Sequence, residues 1–205
     1  MARVSPGTPI RKISGRAIPK PANDQNTDDI VPARYLKEIT FARMGEYAYY
    51  DERFKDGKPV QNHPFNDARF KGANILVGGA NYGCGSSREQ APQALQRYGI
   101  SAIIAESFAE IFAGNCASLG VVGVTVPAGD VAYLAKLAET SPQSSVVIDL
   151  ESKQISAGGK TIAFGIPEGR RRAFLDGTWD AMAILQADAA GIAAAERRLE
   201  YLRFK

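Results

Sequence analysis

The chain carries three short, continuous apolar runs, and each is followed by a segment with helical spacing. The runs cover positions 74–77, 100–105 and 121–126. Apolar runs of this length, without regular polar alternation, are typical of parallel strands buried on both faces. The helices predicted after them cover 92–98, a segment ending near Ser118, and 130–140. Successive strand–helix–strand units predict parallel pairing with right-handed crossovers.

Shorter strands are predicted on either side of this central part. A first strand is expected over 10–17, ended by Pro19 and Pro21, and a short helix is expected over 32–40. Three more short strands are expected at 145–150, 153–156 and 161–164, the last two joined as a hairpin at Ala157-Gly158-Gly159. The predicted fold is α/β, with a mainly parallel central sheet, a smaller antiparallel sheet and a helical C-terminal tail.

The chain is expected to form a single domain over 1–205, with a mobile leader at 1–9 and a helical extension at 168–205. Within that extension, a stripe formed by Ile192, Leu199 and Leu202 could pack on the domain or on a partner, and packing on the domain is the preferred expectation. The aromatic residues of 41–54 are expected to lie in the core. His63, the only histidine, lies in a polar connection and is expected to have a structural or solvent-facing role.

Composition excludes several functional classes. The 205 residues are 45% hydrophobic and 23% charged, which is ordinary for a soluble globular protein. A formal charge of +3 without a basic stripe gives no support for nucleic-acid binding. No apolar run approaches the roughly 20 residues needed to cross a bilayer. The first 20 residues contain no apolar core of a secretory signal, so the cytoplasm is the expected location.

The strongest candidate for chemistry is the glycine-rich stretch 75–90. Its glycines allow backbone conformations closed to other residues and a close approach to a ligand. Ser86 and Glu89 have the spacing of a capping box, which predicts that a helix begins there with free N–H groups converging on one spot. Ser107 and Glu110 repeat this spacing before the next helix. With the guanidinium of Arg88, the stretch predicts an anion site.

Three interpretations of this stretch differ in what it binds. The first is a tight turn with a helix cap and no ligand. The second, a nucleotide site, does not fit, because no Lys precedes Ser86 and the spacing of the dinucleotide fingerprint is not matched. The third fits best: a small carboxylate held by Arg88 and backbone N–H groups, with a serine placed to take a proton.

Several blocks of sequence carry a family resemblance. Asn81-Tyr82-Gly83-Cys84-Gly85-Ser86-Ser87-Arg88-Glu89-Gln90-Ala91-Pro92 resembles the signature of the aconitase superfamily swivel domain, and more narrowly that of the 3-isopropylmalate dehydratase small-subunit family. The segment 26–32 with Tyr35-Leu36, and the segment 107–112 with Asn115 and Leu119-Gly120, resemble further family blocks in the same order. The resemblance covers roughly 18–195 and implies a swivelling β/β/α-type domain.

The resemblance implies roles for particular residues. Ser86 matches the catalytic base, which acts as an alkoxide. Ser87 and Arg88 match residues that bind the substrate carboxylate, and Thr27 with Asp28 matches a pair that positions the substrate. The segment Tyr35-Leu36-Lys37 falls where the family discriminates the group on the malate carbon, and an apolar contact from Leu36 would suit an isopropyl group.

Cysteine usage agrees with the resemblance about the cofactor. Two cysteines, Cys84 and Cys116, cannot supply the three or four thiolates that an iron–sulfur cluster normally uses. No metal site is expected in this chain. The resemblance implies a [4Fe–4S] cluster in a large subunit, joined to this chain as a heterodimer or heterotetramer, and a small hydroxy-dicarboxylate substrate. Neither nucleic acid nor membrane is an expected partner.

Departures from the family pattern leave the substrate open. Glu52 stands where the family usually has Trp, Arg172 where it has His, and Trp179 where an acidic residue is common. One alternative is therefore a paralogous hydro-lyase small subunit for citramalate, dimethylmalate or homoaconitate. A second is a non-catalytic anion-binding module that keeps the fold but works alone.

Overall fold

A computed structural model of the protein describes residues 7–199 and Tyr201. Its strands are β1 (Lys12–Lys20), β2 (Phe54–Lys55), β3 (Lys58–Pro59), β4 (Ile75–Gly78), β5 (Ala102–Ala105), β6 (Val122–Thr125), β7 (Ser145–Asp149), β8 (Gln154–Ala157) and β9 (Lys160–Ala163). Its α-helices are α1 (Thr27–Ile30), α2 (Tyr50–Arg53), α3 (Gln90–Tyr98), α4 (Glu110–Ser118), α5 (Ala128–Thr140), α6 (Glu168–Asp176), α7 (Ala181–Ala187) and α8 (Ala189–Arg198). Short 3-10 helices cover Ala33–Lys37, Met44–Tyr47 and Ala68–Phe70.

Seven strands form one sheet in the order β6-β5-β4-β1-β7-β8-β9. The pairs from β6 to β1 are parallel, and the pairs from β1 to β9 are antiparallel. The α/β class with its parallel and antiparallel sections is thus confirmed. The two sections are continuous, however, because β1 pairs with β7 through its first half and with β4 through its second half. The β2–β3 hairpin forms a separate two-stranded sheet.

The first strand runs further than the prolines suggested. β1 continues to Lys20, and Pro19 lies opposite Val77 of β4. Beyond Arg16, β1 has no partner on the β7 side. The missing N–H of Pro19 therefore removes no hydrogen bond from that side of the ladder, which is the position that a strand proline tolerates.

The end of α3 was predicted correctly, but both capping boxes were wrong. α3 ends at Gly99, whose left-handed φ of +119° places its N–H toward the last carbonyls of the helix. At the other end, α3 begins only at Gln90, and no side chain caps it. α4 begins at Glu110, also without a side-chain cap, because the Ser107 hydroxyl instead accepts the N–H of Asn81.

The aromatic segment lies largely in the core, as predicted. Tyr47 and Tyr49 are buried, whereas Tyr50 is half-buried. The neighbouring His63 is also buried, and its Nδ1 accepts the N–H of Phe65 at 3.2 Å. Its role is therefore structural, since the ring does not face solvent.

The C-terminal extension is helical over its described residues, but its outer helices are not covered. Phe174 and Trp179 are buried, and the Trp179 indole donates to the carbonyl of Thr8 at 2.9 Å. The prediction that the later stripe packs on the domain is wrong for Ile192, which is 51% exposed because α8 lies along α7. Leu202, the third member of that stripe, lies outside the described residues, as do positions 1–6 of the predicted leader.

Two further features of the described chain concern Arg172 and the character of the helices. Arg172, one of the departures from the family pattern, is exposed and lies 3.4 Å from the carboxylate of Glu168 on the same helix. Among the described residues, no helix combines the length and the apolar character that a bilayer crossing requires.

Candidate active site

The glycine-rich loop follows β4, at the carboxyl edge of the parallel strands. Its path requires glycine at two places. A Cβ on Gly78 would lie 2.6 Å from the ring of Tyr82, and Gly83 combines a φ of +79° with close packing against the Phe112 ring. The buried Tyr82 then fixes the loop to the next strand connection, because its N–H donates to the carbonyl of Ser107 at 2.9 Å.

The loop is hydrogen-bonded along its length to the segment that precedes α1. Asp24 donates its N–H to Ala80 at 2.9 Å, and its carboxylate accepts from the side-chain amide of Asn81 at 2.8 Å. Further along, Gly83 donates its N–H to the carbonyl of Gln25 at 2.8 Å. Sequence patterns gave no signal for this pairing, because Asn81 and Asp24 are 57 positions apart in the chain.

Thr27 joins α1 to the predicted catalytic serine. Its N–H donates to the carbonyl of Cys84 at 2.9 Å, and its Oγ1 accepts the N–H of Ser86 at 3.1 Å. Thr27 is only 1% exposed, whereas Ser86 is exposed. The cap of α1 is Asn26, which forms a capping box with Asp29, so Thr27 is free to bind the loop. The arrangement presents the Ser86 hydroxyl to solvent on a fixed backbone.

Arg88 and Asp28 form an ion pair next to this serine. The Arg88 side chain is 25% exposed and that of Asp28 is 51% exposed, so the pair lies at the surface of the site. A guanidinium has five N–H donors in a planar fork, and one carboxylate does not use them all. The remaining donors are available to the carboxylate of a ligand.

Backbone N–H groups of the glycine-rich turn add partial positive charge next to Arg88. Within the described residues, the N–H groups of Gly85 and Ser87 donate to no protein acceptor, and both residues are exposed. Free N–H groups that converge in a glycine turn can form an anion-binding concavity. The groups available to the predicted anion site are therefore these two N–H donors and the Arg88 guanidinium, since α3 begins only at Gln90.

Cys84 is part of the same loop and is hydrogen-bonded within it. Its Sγ donates to the carbonyl of Asp24 at 3.4 Å, and burial raises the pKa of the thiol. Cys116 is buried in α4. In the part of the chain that the structure describes, no three His, Cys, Asp or Glu side chains are grouped so as to hold a metal ion. The two cysteines of the sequence are fewer than the three or four thiolates that a [4Fe–4S] cluster normally uses.

The predicted recognition segment lies in the 3-10 helix Ala33–Lys37. Tyr35 stacks on Tyr47 with ring centroids 3.9 Å apart, Leu36 is half-buried, and Lys37 is exposed. Across the described residues, no hydrogen bond or ion pair joins these three side chains to residues 84–88. Hydrogen bonds and an ion pair thus join Thr27 to Ser86 and Asp28 to Arg88, whereas the recognition segment is not bonded to the loop.

Glu52, which departs from the family pattern, lies in a polar cluster with Lys20 and His63. Its carboxylate is 2.8 Å from the ammonium of Lys20 and 3.5 Å from Nε2 of His63. The Lys20 ammonium also lies 5.0 Å from the centre of the Tyr49 ring. A charged residue is accommodated here because Lys20 compensates it.

Comparison with known proteins identifies the relatives of this chain. Residues 8–129 match the model of the aconitase C-terminal domain family. The chain is 40% identical over 196 residues to the 3-isopropylmalate dehydratase small subunit of Synechocystis sp., covering 96% of each chain. It is 41% identical over 191 residues to that of Thermus thermophilus, covering 93% of this chain and 95% of the relative.

A solved structure has the same fold. The crystal structure of a 3-isopropylmalate dehydratase from Methanocaldococcus jannaschii superposes with a TM-score of 0.62 at 30% sequence identity. The match covers 86% of this chain and 98% of that one.

Proposed function

This chain belongs to the aconitase C-terminal domain family, and we propose that it is the small subunit of a 3-isopropylmalate dehydratase acting in the cytoplasm. In this proposal it takes part in the interconversion of 2-isopropylmalate and 3-isopropylmalate by dehydration and rehydration, a step of leucine biosynthesis. The observation that carries the proposal is the exposed Ser86, held by Thr27 beside Arg88, in a chain that aligns with named small subunits over nine-tenths of its length.

Ser86 is proposed as the base that removes a proton from the carbon next to a substrate carboxylate. A free serine hydroxyl is too weakly acidic for this role, and each unit by which the site lowers its pKa requires about 1.4 kcal/mol of preferential stabilisation of the alkoxide. The free N–H groups of Gly85 and Ser87 and the charge of Arg88 supply stabilisation of the required sign. In the reverse direction, the protonated Ser86 returns the proton to carbon.

Arg88 and Ser87 are proposed to hold the substrate carboxylate. Asp28 then has a different role from the direct substrate contact expected from the sequence: it orients the guanidinium through their ion pair. The ion pair with Asp28 fixes the orientation of the planar Arg88 guanidinium. Its remaining N–H donors then face the ligand in a defined plane, which suits bidentate binding of a carboxylate.

A large subunit is the proposed partner, in a heterodimer or heterotetramer. Lewis-acid assistance to the departing hydroxide is proposed to come from the [4Fe–4S] cluster of that subunit, since the two cysteines of this chain are fewer than a cluster normally uses. The exposure of Ser86 supports this arrangement, because a base that serves a metal on another chain has to be accessible at the surface.

The substrate side chain is proposed to be isopropyl, with Leu36 as the apolar contact. The identity of about 40% to the named relatives supports this choice. The alternative is a paralogous hydro-lyase acting on another substituted malate, and the charged Glu52 in place of the usual Trp is the observation that favours it.

The test is reconstitution with the large subunit and its cluster under anaerobic conditions. Turnover is compared on isopropylmalate, citramalate, dimethylmalate and homoaconitate, with each subunit alone as the control. We expect activity only in the mixture and a kcat/KM that is highest for isopropylmalate. A higher kcat/KM for another malate would support the paralogous assignment. Failure of the chains to associate would contradict the enzyme assignment.

A further inference from the structure

Two buried tyrosine hydroxyls meet beneath the glycine-rich loop. The hydroxyl of Tyr82, a loop residue, is hydrogen-bonded to the hydroxyl of Tyr49, and both side chains are fully buried. Burial raises the pKa of both phenols, so both stay neutral. In an apolar interior each hydroxyl depends on the other, since an unpaired buried hydroxyl is costly.

Tyr49 also holds the other half of the site. Its N–H donates at 2.8 Å to the carbonyl of Ile30, the last residue of α1. The first residue of that helix is Thr27, which binds Ser86. Tyr49 thus binds α1 through its backbone and the loop through its side chain. The helix and the loop are bonded directly to each other as well, at Thr27 and Ser86.

The backbone of Tyr49 is itself unusual. Its φ is +52° and its ψ is +34°, the left-handed region that bulky side chains rarely occupy. Such conformations persist only where surrounding contacts determine them, and they concentrate at functional sites. Here the conformation allows the backbone N–H to face α1 while the phenol points under the loop. Asp24 and Asn81, which bind each other in the loop pairing, have left-handed φ values as well.

We propose that Tyr49 is a positioning residue, whose paired hydroxyl and left-handed backbone fix the glycine-rich loop against α1 and so set the location of the Ser86 hydroxyl. The link to catalysis rests on the proposed function, but the seating of the loop does not. A purely structural role is the competing interpretation, in which the tyrosine pair stabilises the core without controlling the loop.

The two cysteines distinguish these interpretations without an activity assay. Cys84 lies in the loop, half-buried, with its thiol bonded to Asp24. Cys116 is buried in α4, away from solvent. Loop release exposes Cys84 alone, whereas global unfolding exposes both thiols. Alkylation of the isolated chain by iodoacetamide, followed by mass spectrometry of each cysteine, therefore reports on loop and core separately.

The variants are Tyr49→Phe, Tyr82→Phe and the double variant, with Tyr133→Phe as the matched control. Tyr133 also donates a hydroxyl hydrogen bond, at 3.1 Å to Ala157, but on the antiparallel side of the molecule. We expect each single variant to accelerate Cys84 alkylation about fivefold with Cys116 unchanged. The double variant is expected to be no faster than either single one, because the two hydroxyls act as a unit.

Three results would overturn the proposal: an unchanged rate of Cys84 alkylation, a parallel rise in Cys116 alkylation, or an equal effect of Tyr133→Phe.

The second experiment measures turnover in the reconstituted complex, where Tyr49→Phe is expected to lower kcat about tenfold with KM within twofold. Wild-type kcat in the folded, assembled variant would also contradict it. An inactive wild-type complex would instead contradict the proposed function and leave the alkylation result intact.

Discussion

Replacing Thr27 by Val tests whether one side-chain hydroxyl positions Ser86. The substitution preserves the shape of a side chain that is 1% exposed but places a methyl group where Oγ1 accepts the Ser86 N–H at 3.1 Å. A methyl carbon cannot accept that hydrogen bond and needs a longer contact, of about 3.5–4 Å. The Ser86 backbone is therefore expected to move away by roughly 0.5 Å.

The stability effect is expected to be small and the kinetic effect larger. Loss of one hydrogen bond costs about 0.5–1.5 kcal/mol, and water reaches the exposed Ser86 to satisfy its N–H. For a chain of this size, such a loss lowers Tm by roughly 2–4 °C per kcal/mol. A misplacement of 1 Å can cost about 100-fold in rate, so a shift of half that size is expected to lower kcat about tenfold.

The assay is steady-state turnover of the reconstituted complex, with thermal unfolding of each isolated chain measured in parallel. Thr27→Ser keeps the hydroxyl and is expected to retain kcat within about threefold. Thr125→Val is the matched control, because it also removes a hydroxyl hydrogen bond, the one that Thr125 donates to Gly165 at 3.2 Å. A kcat for Thr27→Val within twofold of wild type, at the expected Tm, would show that the Thr27 hydroxyl does not position Ser86.

Three other substitutions test the path of the loop, substrate binding by Arg88, and the ion pair of Asp149 with Lys12. Gly83→Ala is expected to lower the free energy of unfolding by about 2–5 kcal/mol, measured by denaturant titration, because it combines a φ of +79° with overlap on the Phe112 ring; wild-type stability would contradict the described loop path. Arg88→Lys is expected to raise KM about tenfold or more, since Lys lacks the bidentate fork, and an unchanged KM would remove Arg88 from substrate binding. The ammonium of Lys12, with backbone N–H groups, holds the pKa of Asp149 at about 2, below the roughly 3.9 of a free aspartate. Its charged form therefore stabilises the fold above about pH 4, and this contribution is lost as the pH falls to about 2. Asp149→Asn should lower Tm at pH 6 and not near pH 2, and a Tm difference independent of pH would contradict the assignment.

The strands and most helix ends were predictable because local patterns determine them. The buried parallel strands appear as continuous apolar runs, and Gly99 ends α3 in the left-handed conformation that glycine favours. Where long-range contacts compete with a local pattern, the prediction failed. The Ser86–Glu89 spacing favours a capping box, but the Ser86 N–H binds Thr27 and the helix starts later. Local spacing carries no information about that competitor.

The site was predictable by residue type but not by arrangement. The motif identified Ser86 and Arg88, and the structure brings both next to the predicted Thr27 and Asp28. The ion pair of Arg88 with Asp28 had no signal in the sequence, since the partners are 60 positions apart. The same holds for Tyr49, whose aromatic segment correctly predicted burial but not its link to the loop.

The proposal that Ser86 is the catalytic base is tested most directly by the turnover of Ser86→Ala in the complex with the cluster-bearing large subunit. Because Ser86 is exposed and its backbone bond to Thr27 does not require its hydroxyl, folding and assembly should match wild type. We expect kcat to fall by about 1,000-fold or more while the complex elutes at its normal size. Near-normal turnover by the assembled variant would show that another group removes the proton.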